Sequence, residues 1–120
     1  MKVIPSEKYK KALEEIQITD KQLLMLEAHY NVLNKSITYL ELAKSAGYED
    51  YEAANSQYGK LGRVLGEAVG FEFQNSQIKT DSILYSSAIG MPNSYTDGDF
   101  QLVMHHELAT ALKDSELFKS

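Results

Sequence analysis

TYLELAKSAGYEDYEAANSQYGKLGRVLGEAVG, residues 38–70, decides the architecture of this chain. Thr38 is followed three residues later by Glu41, the capping-box spacing in which each side chain bonds the other residue's backbone amide. Apolar spacing then predicts a short helix over about residues 39–46, stopped by Gly47, a residue suited to the left-handed backbone of a helix end. Asp50 is the expected cap of a long helix over about 51–69. Its positions 51, 54, 58, 61, 65 and 68 are Tyr, Ala, Tyr, Leu, Leu and Ala, an alternating three-four spacing that makes one buried stripe. Ala43 lies four residues before Gly47. A small residue where a second helix crosses, with glycine at the turn, is the material of a helix-turn-helix.

The long helix carries an energetic oddity. Gly59, Gly62 and Gly66 lie inside it, and Gly70 ends it. Each interior glycine costs roughly 1 kcal/mol relative to alanine, so the helix needs a bare face on which another backbone can come close. At about 100° per residue these three glycines share a face about 110° around from the apolar stripe. Asn55 shares that face, and Ser56 and Arg63 border it. The expectation is a second surface, distinct from the core.

Working outward, Ser6 is the expected cap of a helix through Lys8–Glu15 with Tyr9, Ala12, Leu13 and Ile16 inward. Thr19 and Gln22 form a second capping box. It opens a helix whose main stripe is Leu23, Leu26 and Tyr30, widened by Leu24 and Met25. Residues 31–36 read as a turn or loop, and 71–82 as short extended pieces. ILYSSAIG at 83–90 reads as a strand with Ile83, Tyr85 and Ile89 alternating, and FQLVMH at 100–105 as its return, with Phe100, Leu102 and Met104 on one face. Between them MPNSYTDGD is rich in turn formers. A last helix over about His106–Lys113 turns Leu108, Ala109 and Leu112 inward. The sum is one α+β, mainly helical domain over residues 1–120: a helical part at 6–70, then a C-terminal β-hairpin and closing helix at 71–120. The order is that of a winged-helix-like helix-turn-helix bundle.

Composition bounds the function. The chain has 120 residues, 43% of them apolar, and no cysteine. That suits a folded domain and excludes disulfides, thiol chemistry and thiolate zinc sites. No stretch reaches the ~18–20 apolar residues of a membrane span, and MKVIPSEKYKK lacks the apolar run of a secretion signal. A cytoplasmic protein with no membrane contact is expected. Net charge is −5. Residues 1–70 carry ten acidic and nine basic side chains, and residues 71–120 seven and three. Nucleic-acid contact would therefore be a local patch in the first part.

In a winged-helix arrangement the helix at 51–69 enters the major groove. Asn55 then meets an adenine edge and Arg63 or Lys60 a guanine or phosphate. The glycine face seats the helix against the sugar-phosphate chain, and the loop Pro92–Asp99 is the wing, although Asp97 and Asp99 disfavour phosphate. The alternative is a protein partner or homodimer held through Gly59, Gly62 and Gly66, as in a stand-alone regulator or a phage-type inhibitor of a bacterial defence nuclease. Among the tyrosines, Tyr48, Tyr51 and Tyr58 cluster at the turn and long helix, with Tyr51 and Tyr58 expected to close the core and Tyr95 to be exposed in the hairpin loop.

Three motifs carry a resemblance: AHYN at 28–31, T-x-x-E-L-A-x-x-x-G-Y from Thr38, and Y-x-A-x-N-x-Q-Y-G-K-L-G-R from Tyr51. The stretch Thr19–Phe71, together with DGDFQLVMHHELATAL at 97–112, resembles a module found ahead of HNH endonuclease domains in bacterial restriction-like proteins. The resemblance implies a DNA-targeting role without nuclease activity. It also implies a surface of Asn55, Gln57, Tyr58, Gly59, Lys60 and Arg63, to which Ser56 is added by its place on the helix.

No catalytic constellation competes with this reading. His29, His105 and His106 are the only histidines, too few and wrongly spaced for an HNH site. His105 and His106 are adjacent at a strand-to-helix junction and diverge. Asp97, Asp99 and His105 have donor types that suit divalent ions, but DGD reads better as a turn. GKLG lacks the GK[ST] ending of a phosphate loop. No enzyme activity, metal or cofactor is expected.

Overall fold

The computed structural model describes residues 3–75, 83–93, 101–115 and 117–118. Its helices are α1 (Ser6–Glu15), α2 (Asp20–Asn31), α3 (Tyr39–Ala46), α4 (Tyr51–Val69) and α5 (His106–Asp114). Its strands are β1 (Ser36–Thr38), β2 (Gln74–Asn75), β3 (Ile83–Leu84), β4 (Gly90–Asn93) and β5 (Gln101–Met104).

Local chemistry sets the helix ends. Gln22 N donates to Thr19 Oγ1 while Thr19 N donates to Gln22 Oε1, both at 3.1 Å. Glu41 N donates to Thr38 Oγ1 at 3.1 Å, and Thr38 N to Glu41 Oε1 at 3.0 Å. Asp50 Oδ1 accepts from Ala53 N at 2.9 Å and caps α4. Gly47 ends α3 at φ 77° and Gly70 ends α4 at φ 74°, the left-handed conformation that glycine adopts without a Cβ penalty. Helix α1 differs from expectation. Pro5 is its cap, and Ser6 lies within the first turn without a capping bond. Thr38→Ala is expected to cost about 1 kcal/mol of stability in urea unfolding, with Thr38→Ser recovering most of it.

The main sheet has the order β1-β5-β4, antiparallel throughout. Strand β1, inside the stretch expected to be loop and cap, pairs Ile37 with Leu102. It is three residues long with one inward side chain, Ile37, too short to show an alternation. The hairpin β4–β5 is present but begins at Gly90, not at 83. Pro92 and Asn93, expected in the wing, belong to β4. The remainder of that loop, with Tyr95, Asp97, Asp99 and Phe100, lies outside the described residues. Ile83 and Leu84 pair instead with β2, and Tyr85–Ala88 coils into a 3₁₀ turn.

That turn is the keystone of the packing. Ser86, Ser87, Ala88 and Ile89 are all buried. The Tyr9 hydroxyl donates to Ala88 O at 2.9 Å, His105 Nε2 donates to Ser87 O at 2.7 Å, and the Tyr39 hydroxyl lies 3.0 Å from Ser86 Oγ. The turn seats on α4, which also packs against α1, α2 and α3. Burial raises the pKa of both Tyr9 and Tyr39, so each hydroxyl keeps its proton in place.

The apolar stripe of α4 is correct at its centre and rotated at its ends. Ala54, Tyr58, Leu61 and Leu65 are buried, while Tyr51 is 54% exposed. Val69 takes the inward place expected of Ala68. The cause is the glycine flank: Gly62 and Gly66 are buried too, so the buried arc extends to their side. In α2 the buried residues are Gln22, Met25, Leu26 and His29, with Leu24 47% exposed and Leu23 and Tyr30 only partly covered. Two polar side chains with internal partners turn this helix away from its expected face. In α5, Ala111 joins Leu108 and Leu112 in the core, and Ala109 is partly covered.

Candidate functional site

The outer face of α4 carries the sequence-derived candidates. Asn55, Ser56, Lys60 and Arg63 are exposed, and Gln57 and Gly59 partly so. Gln57 lies at the edge of the face, and its carbonyl accepts from Gln22 Nε2 at 3.3 Å, pinning α4 to α2. Arg63 Nε lies 3.8 Å from Glu67 Oε2, both side chains mostly exposed. Its guanidinium also sits 5.3 Å from the centre of the Tyr85 ring. Glu49, Asp50 and Glu52 are exposed around the start of the helix and Glu67 nearer its end, so the positive part of this face is its middle, at Lys60 and Arg63.

Tyr58 is not on that surface. It is fully buried, and its hydroxyl donates to His29 Nδ1 at 2.7 Å. The glycines also lie differently from expectation. A Cβ on Gly62 would meet the backbone of Tyr85 and Ser86, and one on Gly66 the Phe73 ring and Ala88. The bare helix face therefore receives a close-approaching backbone, but that backbone is the chain's own 3₁₀ turn. Only Gly59 among the three has open space beside it. A partner docked through Gly62 and Gly66 would have to displace the keystone turn.

His29 is wholly buried. Its Nε2 proton is shared between Leu102 O at 2.8 Å and Lys35 O at 3.0 Å. With both carbonyls on Nε2 and the Tyr58 hydroxyl donating to Nδ1, the ring is the neutral Nε2–H tautomer. Burial lowers its pKa to about 4, against the opposing pull of the two carbonyls. The residue ties α2, α4 and β5 together. Its place on the Met25–Leu26–His29 arc is the signal that marks it as inward.

His105 turns to Ser87 and is partly buried, whereas His106 is exposed, so the adjacent pair diverges. Among the described residues no group of three histidine or acidic side chains is placed to hold a metal ion. Among them, too, no helix is long and apolar enough to cross a membrane. No protein-family model matches the chain, and no curated protein or solved structure matches it either.

Proposed function

We propose that this chain is a non-enzymatic DNA-binding module of winged-helix type that contacts DNA with the outer face of α4. The observation that carries the reading is the exposed row Asn55, Ser56, Lys60 and Arg63 on the second helix of a glycine-turned helix pair. The strand inserted before that pair and the sheet order β1-β5-β4 support it, because a strand ahead of the helix pair closing on a following hairpin is the winged-helix arrangement. The resemblance to modules ahead of HNH nuclease domains adds a role in targeting.

In this reading Asn55 reads a base edge, while Lys60 and Arg63 neutralise phosphates. Two such cations give a salt slope of about −2. Fluorescence anisotropy with a labelled mixed-sequence duplex tests this. Lys60→Glu with Arg63→Glu is expected to weaken low-salt binding at least about ten-fold and to flatten the salt dependence. Unchanged affinity would remove α4 as the contact.

A protein-interaction module, including an inhibitor of a defence nuclease, is the second reading. It is favoured by the exposed acidic start of α4 and by Tyr51 beside it, 54% exposed. It expects no salt-dependent DNA retention at all.

A further inference from the structure

Beside the duplex-facing row lies a run of rings. Tyr85 and Phe73 meet edge-on at 5.1 Å between centroids, Phe73 and Phe71 edge-on at 5.9 Å, and Phe71 and His105 tilted at 5.6 Å. All four are only partly buried, and Arg63 lies over the Tyr85 ring at the end nearest α4. The Phe73 ring covers Gly66 of α4 and Phe71 packs against the main core, whereas the Tyr85 side chain is not among the partly buried side chains packed against that core. Both contacts that hold Arg63, an exposed ion pair at 3.8 Å and a cation over a partly exposed ring, are weak. They are easily exchanged for a phosphate, which offers a guanidinium two oxygens at once.

We propose that Tyr85 and Arg63 form a site for one unpaired nucleotide, with the base stacking on the Tyr85 ring and Arg63 swinging from that ring to the nucleotide's phosphate. A ring face covered by an exposed, weakly held cation suits a ligand that is flat, π-rich and anionic at one end. An unpaired nucleotide has all three properties, and stacking on an aromatic side chain tolerates any base. In a paired duplex the base faces are occupied by their neighbours, so this site distinguishes distorted or single-stranded DNA from perfect duplex. The inference rests on the DNA-binding reading of α4 through Arg63 alone, and it fails separately from it.

The test uses the full chain and three labelled probes: a perfect duplex, the same duplex with a bulge of unpaired thymines, and a thymine single strand. Wild type and Tyr85→Phe, which keeps the ring, are expected to prefer the bulged over the perfect duplex by roughly ten-fold. Tyr85→Leu is expected to bring that ratio to about one, with thermal unfolding recorded to show that the variant is folded. If wild type binds perfect and bulged duplex equally, the nucleotide site is wrong and the α4 reading stands. If only the bulged and single-stranded probes bind, the α4 duplex reading is wrong and the nucleotide site stands. If no probe binds, or if folded Tyr85→Leu keeps the preference, the site is refuted. Should Tyr85→Leu not fold, folded Arg63→Gln takes its place: it is expected to lower the bulged-to-perfect ratio, and an unchanged ratio overturns the site.

Discussion

Gly62→Ala is expected to destabilise the protein by about 2 kcal/mol or more, while Gly59→Ala, one turn away on the same helix, is expected to stabilise it by up to about 1 kcal/mol. The two substitutions make the same local change, and helix propensity alone favours both by about 1 kcal/mol. They differ in what the new methyl group meets. At Gly59 nothing lies within 4 Å of it. At Gly62 it would sit 2.8 Å from the Tyr85 carbonyl carbon and 2.9 Å from Ser86 Cα, with the Tyr85 carbonyl oxygen nearer still. These are backbone atoms of a turn pinned by Tyr9 and His105. The turn has little room to withdraw, and overpacking of this kind costs about 1–3 kcal/mol or more. Gly66→Ala falls between, since part of its overlap is with the far edge of the Phe73 ring, a side chain able to rotate. Urea unfolding of the three variants measures the series. Equal stabilisation by all three would mean that the 85–88 turn does not seat on α4.

The same glycines show what was legible in the sequence. Caps and stops were readable because they are local: Thr19 with Gln22, Thr38 with Glu41, Asp50, Gly47 and Gly70 act within four residues of themselves. The need for a close-approaching backbone was readable too, from three glycines on one face. Its identity was not, because the occupant at 85–88 is non-local and lies within ILYSSAIG, where Ile83, Tyr85 and Ile89 mimic strand alternation. Ser86 and Ser87 break that pattern by being buried among hydrogen-bond partners. Polar residues misled the reading of α2 in the same way, since Gln22 and His29 face inward to Gln57, Tyr58 and Leu102. The candidate face on α4 was largely readable because a helical wheel separates Lys60 and Arg63 from the stripe. What periodicity does not reveal is that Arg63 has a ring from another element beneath it.

His29 gives the second large effect, as a dependence of stability on pH. In the unfolded chain the imidazole has its ordinary pKa of 6.5, and in the folded protein burial lowers it to about 4. Between these values the unfolded state binds a proton that the native state does not, so stability rises with pH there. The contribution is present in full above about pH 6.5 and is lost as pH falls through about 4. At about 1.4 kcal/mol per pH unit, the interval is worth roughly 3 kcal/mol. The penalty on the charged form is physical: the ring is wholly buried, and Lys35 and His105 add repulsion. His29→Gln removes the titration while keeping a polar side chain. It leaves part of the Tyr58, Lys35 and Leu102 network unmatched, so it is expected to be less stable than wild type by a few kcal/mol at neutral pH. The gap between the two proteins should then close by about 3 kcal/mol as pH falls from 6.5 to about 4. Urea unfolding at stepped pH follows it directly, and a constant gap would mean that His29 is protonated without cost in the folded state, against the sealed geometry of the Tyr58–His29–Leu102 chain.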